Sequence, residues 1–168
     1  MSSSRSEVYL HLVWATKLRQ PKITCELEAG LFEVIREQIH TCDCQVIALN
    51  GTEDHVHLLI RYGRETSLSE LMNRVKGVSS RWMNAQIPKQ APDDLPTFAW
   101  QPGYGVFSLG FNQVKAAKAY VCRQKERHAL GKTWDYFEQV PDETVPMHTK
   151  SRKAKLQTMT NNESKEHK

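Results

Sequence analysis

The chain has 168 residues, of which 39% are hydrophobic and 25% charged, and its formal net charge is +4 at pH 7. This length allows one domain with a hydrophobic core, and the composition is typical of a globular protein. No stretch of the sequence approaches the roughly 18 apolar residues of a membrane span, and the N-terminal residues do not resemble a signal peptide. We therefore expect a cytoplasmic protein with no membrane partner and with reduced cysteines.

Apolar patterns in the first part of the chain predict a strand, a helix and a pair of strands. Residues 8–16 are rich in β-branched and aromatic side chains, which favours a strand. Helical spacing of apolar residues then runs from Thr24, the expected N-cap, to Ile39. Residues 45–50 and 54–62 are two further apolar runs with a short connection, which predicts a hairpin.

The second part of the chain predicts a helix, a long loop, a fourth strand and a third helix. Ser67 and Glu70 form a capping-box pattern before an amphipathic stretch. Residues 86–103 are rich in proline, which predicts a loop. A strand is expected within 104–109, followed by a helix with Asn112 as its cap and Gly131 at its end.

The order of these elements, β-α-β-β-α-β with one added helix, predicts an α+β protein. Four antiparallel strands with two helices on one face form the ferredoxin-like sandwich, and the C-terminal helix could then cover the opposite face. We expect one domain over residues 1–140. Residues 141–168 lack periodicity and carry a basic first half, which predicts a flexible tail.

Two histidines lie one residue apart in the third predicted strand, within "DHVHLLI". Because side chains alternate along a strand, His55 and His57 share the face that the first two helices leave uncovered. Two imidazoles at this spacing can converge on one divalent cation. They can equally be two partly exposed histidines on an open sheet. His11, in the first strand, is expected to be a packed or solvent-facing histidine.

The third predicted helix carries a tyrosine and a glutamine on one face. Tyr120 and Gln124 are four residues apart, so they stack on the same side of a helix. If this helix crosses the open face of the sheet, it brings a phenol and an amide oxygen to the paired histidines. The alternative is that Tyr120 is a boundary aromatic with its hydroxyl in water.

Several motifs in a fixed order resemble a known family. "HLVWATK" at 11–17, "DHVHLLI", "VKGVSSR" at 75–81, "WQPGYGVFS" at 100–108 and "AYVCRQ" occur in that order. Together they resemble the single-tyrosine HUH transposases of small bacterial insertion sequences, including the REP-associated tyrosine transposases. The resemblance extends from residue 8 to about residue 130.

The resemblance implies roles for specific residues. His55, His57 and Gln124 would hold a divalent cation, Mg²⁺ or Mn²⁺. Tyr120 would attack a phosphodiester of single-stranded DNA and leave a covalent 5′-phosphotyrosine and a free 3′-OH. A phenol with a pKa of about 10 is a poor nucleophile, and a cation that polarises the phosphate would help it. The implied partners are single-stranded DNA with hairpin ends and a second subunit in a homodimer.

Other residues are weaker candidates for the same chemistry. Asp54 could orient one of the paired histidines from outside the ligand set. Basic side chains that could contact DNA phosphates are Arg74, Lys76, Arg81, Lys115, Lys118 and Arg123. An alternative function stays open, namely a non-catalytic or domesticated hairpin-DNA-binding protein derived from such a transposase. Metallo-β-lactamase-type hydrolases require an H-x-H-x-D-H run, which this sequence lacks.

Overall fold

A computed structural model describes residues 6–86, 97–134 and 137–138. The strands and helices, in chain order, are β1 (Val8–Ala15), α1 (Cys25–His40), β2 (Gln45–Gly51), β3 (His55–Tyr62), α2 (Leu68–Ala85), β4 (Gly105–Leu109), α3 (Phe111–Cys122) and α4 (Gln124–Ala129). A single 3₁₀ turn, Lys17–Arg19, follows β1.

The four strands form one antiparallel sheet in the order β2-β3-β1-β4. The predicted ferredoxin-like α+β architecture is therefore confirmed. β1 and β3 are the central strands, and their register pairs Val13 with His57 and Ala15 with His55. The histidine motif consequently lies in the middle of the sheet, where both strand neighbours hold its backbone.

One face of the sheet packs against α1 and α2. Val56, Leu58 and Ile60 of β3 lie in this core and are fully buried. The two helices approach closely at Gly30, where a Cβ atom would lie 2.5 Å from the Trp82 ring. The absence of a side chain at this position therefore sets the distance between the two helices.

The opposite face of β3 packs against α3. Leu59 forms a second apolar cluster with Ala117 and Val121 of α3 and with Ala48 of β2. The prediction that a third helix covers this face of the sheet is therefore confirmed. This layer is small, so the side chains on either side of it determine what the face can bind.

The third predicted helix differs from the structure in its start and its continuity. It begins after Gly110, whose backbone N–H donates to Gln113 Oε1 at 2.8 Å, and not at Asn112. Arg123, at φ −106° and ψ 20°, interrupts it and separates α3 from α4. The Arg123 N–H bonds back to the Tyr120 carbonyl, a tighter turn than the α-helix makes. Gly131, at φ 62°, follows the end of α4 as predicted.

Other predictions about the chain have mixed outcomes. Ser67 Oγ accepts the Glu70 backbone N–H at 3.2 Å, which confirms that cap. All four cysteines are free thiols. None of the helices within the described parts of the chain is both long and apolar enough to cross a membrane. The expected domain end at residue 140, the tail 141–168 and residues 87–96 of the proline-rich loop lie outside the described residues.

Candidate metal and nucleophile site

Three imidazoles and one carboxylate converge at the face of β3 that packs against α3. His55 and His57 are 1% and 0% exposed. With His128 of α4 and Glu138 they offer four ligand atoms that all lie within 4.8 Å of one another. Glu138 Oε2 lies 3.4 Å from Nε2 of each of the three histidines. This group, called the His₃Glu cluster below, could hold a metal ion.

The outer nitrogens of the two strand histidines are held by neighbouring side chains. His55 Nδ1 lies 2.6 Å from Asp54 Oδ1, and Thr52 donates to the same carboxylate oxygen at 2.8 Å. His57 Nδ1 lies 2.9 Å from His11 Nε2. When each Nδ1–H donates outward, each Nε2 presents its lone pair to the cluster, which is the tautomer that a metal ligand needs.

The pKa values of these histidines follow from burial and from their carboxylate neighbours. Burial, with a smaller effect of the adjacent His57, lowers the pKa of His11 to about 3. Burial also lowers the pKa of His57. At His55 burial acts in the same direction, but the hydrogen bond to Asp54 and the nearby Glu138 raise the pKa above its ordinary value. His11 and His57 are therefore neutral at pH 7.

The Nε2 atoms that face the centre of the cluster indicate whether a cation would fit there. Within the described residues, Nε2 of His55, His57 and His128 makes no hydrogen bond, although each is inaccessible to solvent and only 3.4 Å from the Glu138 carboxylate. Buried polar atoms are normally paired, because an unpaired one costs free energy. Three such nitrogens that face one carboxylate oxygen satisfy the donor requirement of a divalent cation. The residues present fit a metal.

Tyr120 reaches the same cluster from α3. Its hydroxyl donates to Glu138 Oε1 and accepts the Trp134 backbone N–H at 3.1 Å. Its ring stacks on Trp134 at 4.8 Å and lies edge-on to His57 at 6.0 Å between centroids. Burial raises the pKa of Tyr120, and the hydrogen bond to Glu138 raises it further. The phenol is therefore neutral at pH 7 and beside the imidazoles within one subunit.

Gln124 begins α4, on the other side of the break at Arg123. Its side chain is fully buried, and neither amide atom has a hydrogen-bond partner in the part of the chain that the structure describes. Its amide lies close enough to Tyr120 to lower the pKa of that phenol, against the larger effect of burial. Gln124 thus has an uncommitted carbonyl oxygen beside the predicted nucleophile.

The six basic residues suggested as DNA contacts do not form one surface. Arg74, Lys76 and Arg81 are on α2, which packs on the sheet face opposite the His₃Glu cluster. The Lys76 ammonium donates to three successive backbone carbonyls of residues 101–103, at 2.5, 2.9 and 3.1 Å. The remaining three are exposed on α3 or directly after it, namely Lys115, Lys118 and Arg123.

Two members of the cluster were not predicted from the sequence. His128 follows Gln124 by four residues and Tyr120 by eight, so the helical spacing that linked the first two residues also pointed to His128. Glu138 lies beyond Gly131, outside any periodic element, and no sequence signal indicated it. His11 was expected to be packed or solvent-facing, and it is buried against His57.

A cavity of about 530 Å³ opens beside the cluster. Asp54 and His128 line it on the side of the cluster, and Arg19 and Lys125 contribute cationic groups. Arg19 pairs with Asp54 at 3.2 Å. Lys125 pairs with Glu28 at 2.5 Å, so the cavity wall beside His128 carries paired charges of both signs.

A family model described as "Transposase IS200 like" matches residues 4–124. This chain belongs to the IS200-like transposase family. The match spans the β1 strand, the paired histidines, Tyr120 and Gln124 and ends before His128. Membership of the family implies a DNA-processing enzyme.

Two curated relatives agree with this assignment to the IS200-like transposases. The ISDra2 transposase TnpA of Deinococcus radiodurans is 25% identical over 130 residues, which are 76% of this chain and 93% of the relative. The transposase for insertion sequence element IS200 of Salmonella typhimurium is 24% identical over 131 residues, 78% of this chain and 86% of the relative.

Two solved structures share the fold of this IS200-like transposase, each with a TM-score of 0.57. One is a candidate transposase from Deinococcus radiodurans, 24% identical, and the alignment covers 79% of this chain and 98% of that chain. The other is a REP-associated tyrosine transposase bound to a REP hairpin, 12% identical, with 88% and 96% covered. At these identities the likeness shows the fold.

Proposed function

We propose that this protein is a metal-dependent transposase that cleaves and rejoins single-stranded DNA through a covalent 5′-phosphotyrosine. One observation carries the proposal: the Tyr120 hydroxyl and three unpaired imidazole nitrogens meet at the Glu138 carboxylate within a single subunit. A nucleophile and a cation site at one point are what phosphoryl transfer to a phenol requires. Family membership supplies the nucleic-acid substrate.

The chain's own residues would hold the catalytic cation, Mg²⁺ or Mn²⁺. His55 and His57 present inward lone pairs, and the buried amide of Gln124 offers an oxygen without a partner among the described residues. Asp54 and His11 fix the two imidazoles from outside. When bound, the cation polarises the phosphoryl oxygens and stabilises the charge that develops on them.

Tyr120 would act as the nucleophile. Its ring contacts the Trp134 ring, 4.8 Å away, and the Arg127 guanidinium, which lies 5.0 Å from the centroid of the Tyr120 ring. In the forward step a bond forms between Tyr120 Oη and phosphorus, and the bond from phosphorus to the 3′-oxygen breaks. The phenol gives up one proton and the departing 3′-oxygen takes one up. Attack of a 3′-OH on the phosphotyrosine reverses the step and rejoins the strand.

Glu138 occupies the place that the phosphate needs. One of its oxygens faces the three imidazoles, and the other accepts the Tyr120 hydroxyl. A scissile phosphate between nucleophile and cation has to make both of these contacts. We therefore expect the carboxylate to give up its position when DNA enters. The adjoining cavity is the approach that we propose for the strand. Its cationic groups, Arg19 and Lys125, are each paired with a carboxylate that a phosphate would have to replace.

The proposed partners are single-stranded DNA with hairpin ends and a second copy of the chain. The solved REP-associated tyrosine transposase is bound to a REP hairpin, which supports a hairpin ligand here. Because Tyr120 already reaches the cluster of its own subunit, the proposal assigns it to that subunit. Light scattering of the purified protein would measure the number of subunits.

A cleavage assay with end-labelled oligonucleotides tests the proposal. The substrate carries a hairpin from the flank of the gene, with the label at either the 5′ or the 3′ end, and Mg²⁺ or Mn²⁺ is added. We expect only the 3′-labelled fragment to become attached to protein, and we expect Tyr120→Phe to abolish the attachment. Tyr9→Phe is the matched control, since it also removes one phenolic hydroxyl.

Two results of this assay would change the conclusion. Cleavage by Tyr120→Phe at the wild-type rate would remove Tyr120 as the nucleophile. Binding of the hairpin by both proteins, without cleavage by either, would favour the non-catalytic hairpin-DNA-binding alternative.

A further inference from the structure

We propose that the DNA-free protein holds a cation of the Zn²⁺ class through four ligands, His55, His57, His128 and Glu138. The family model ends at residue 124, so the last two ligands lie outside the part of the chain that it matches. The inference deepens the proposed function, because it names the resident cation of the same site. It rests on the metal requirement of that function and not on the DNA chemistry.

Three of the six separations between ligand atoms match a tetrahedral site. Ligands about 2.1 Å from a tetrahedral centre are about 3.4 Å apart, whereas neighbouring octahedral ligands at this distance are about 3.0 Å apart. Glu138 Oε2 lies 3.4 Å from each of the three Nε2 atoms. The separations among the three imidazole nitrogens extend to at most 4.8 Å, so the imidazoles have to move inward for all four atoms to bind one ion.

The chemistry of the ligands selects the class of cation. Three imidazoles and one carboxylate are suited to Zn²⁺ or Co²⁺, because nitrogen donors bind these ions well. Mg²⁺ prefers oxygen ligands, octahedral geometry and several retained waters. The site is also prepared from outside: Asp54 bonds His55, and His11 bonds His57. Such outer contacts orient the inner ligands.

Glu138 distinguishes the resting site from a catalytic one. Catalytic zinc sites keep one open position, and here the carboxylate fills the fourth position. Its second oxygen accepts the Tyr120 hydroxyl, so the phenol is tied to a ligand of the ion. Gln124 is not needed in this four-ligand set. Its amide remains available as a ligand of the cation when DNA is bound and Glu138 has moved.

Binding of Co²⁺ followed by visible absorption tests the ligand set without any need for DNA cleavage. Four-coordinate Co²⁺ absorbs visible light much more strongly than six-coordinate Co²⁺. The wild-type protein should show the strong absorption, lose it when Zn²⁺ is added and keep it when Mg²⁺ is added. His128→Ala and Glu138→Gln should each weaken the strong absorption and lower the Co²⁺ affinity by at least about tenfold.

Matched variants separate ligand loss from general damage. His40→Ala and Glu126→Gln change exposed side chains of the same types and should behave as wild type. Gln124→Ala should retain the strong absorption. His128→Gln, which is nearer in size, repeats the histidine test if the alanine variant unfolds, and circular dichroism in EDTA verifies folding of every variant.

The outcomes distinguish this inference from the proposed function. Weak, six-coordinate absorption by wild type, or wild-type Co²⁺ affinity in folded His128→Ala or His128→Gln, would overturn the four-ligand site. If the four-coordinate spectrum is found but no phosphotyrosine forms on any hairpin, the site stands and the transposase chemistry fails. If phosphotyrosine forms with a six-coordinate spectrum, only the present inference is lost.

Discussion

The two faces of β3 are equally buried and opposite in character. Leu58 points into the core under α1 and α2, and His57, its neighbour in the chain, points to α3; each is 0% exposed. The apolar face is explained by the hydrophobic effect. The other face carries imidazole nitrogens without a hydrogen bond among the described residues, and a buried polar atom of this kind costs free energy until something binds it. Burial alone therefore does not distinguish a structural side chain from a functional one, whereas an unpaired buried atom does.

The largest expected effect is on the apolar face. Leu58→Ala removes a fully buried side chain and should lower the free energy of unfolding by about 2–5 kcal/mol, measured by urea denaturation. Cation affinity per folded molecule should stay at the wild-type value, because the change lies across the sheet from the ligands. Loss of cation binding at temperatures where the variant is folded would show that the two faces are not independent.

The matched change on the polar face should lower cation affinity. His57→Gln keeps most of the side-chain volume but removes an imidazole ligand. We expect cation affinity to fall by more than about 100-fold, the upper end of the losses seen when only an outer contact is removed. Isothermal titration with Mn²⁺ or Co²⁺ measures it. An unchanged affinity would mean that His57 is a packed histidine and not a ligand.

A smaller effect is expected from the carboxylate behind His55. Asp54→Asn keeps the shape of the side chain but weakens the hydrogen bond to Nδ1, so cation affinity should fall by about 10- to 100-fold. Glu53→Gln, the preceding acidic residue, is the matched control. The contribution of Asp54 would be refuted if both variants bind the cation equally well.

An effect of similar size is a dependence of stability on pH. The pKa of His11 is about 3 in the folded protein and about 6.5 in an unfolded chain, so between these values the unfolded state binds more protons. The free energy of unfolding should therefore fall on acidification, with a contribution from His11 of roughly 2 kcal/mol between pH 7 and pH 5. Urea denaturation in EDTA should show a shallower fall for His11→Gln and an unchanged one for His40→Gln. Identical slopes for wild type and His11→Gln would remove His11 from this account.

The sequence predicted the fold well because its signals are local. Alternation along β3 put His55 and His57 on one face, and the capping pattern at Ser67 marked the start of α2. The break at Arg123 was not predicted, because a single residue with ordinary helical neighbours carries no strong signal. It shows that a four-residue spacing, as between Tyr120 and Gln124, can cross from one helix to another.

The site was predicted only in part, because two of the four residues of the His₃Glu cluster, His128 and Glu138, were missed. His128 shares the helical spacing of Gln124 and could have been found from it. Glu138 could not have been found, since it follows α4 without a periodic pattern and reaches the cluster through tertiary packing. Lys76 shows that a charged residue in the sequence does not by itself indicate a ligand contact. Its charge suggested a phosphate contact, yet its ammonium donates to three backbone carbonyls.

Mapping of the protein–DNA adduct by mass spectrometry tests the central claim most directly. The protein is incubated with a hairpin oligonucleotide and Mn²⁺, digested with a protease and a nuclease, and searched for a peptide that carries a nucleotide 5′-phosphate. We predict that the nucleotide is on the peptide containing Tyr120 and that it is missing from the Tyr120→Phe protein. A nucleotide on any other residue, or strand cleavage with no nucleotide on protein, would contradict it.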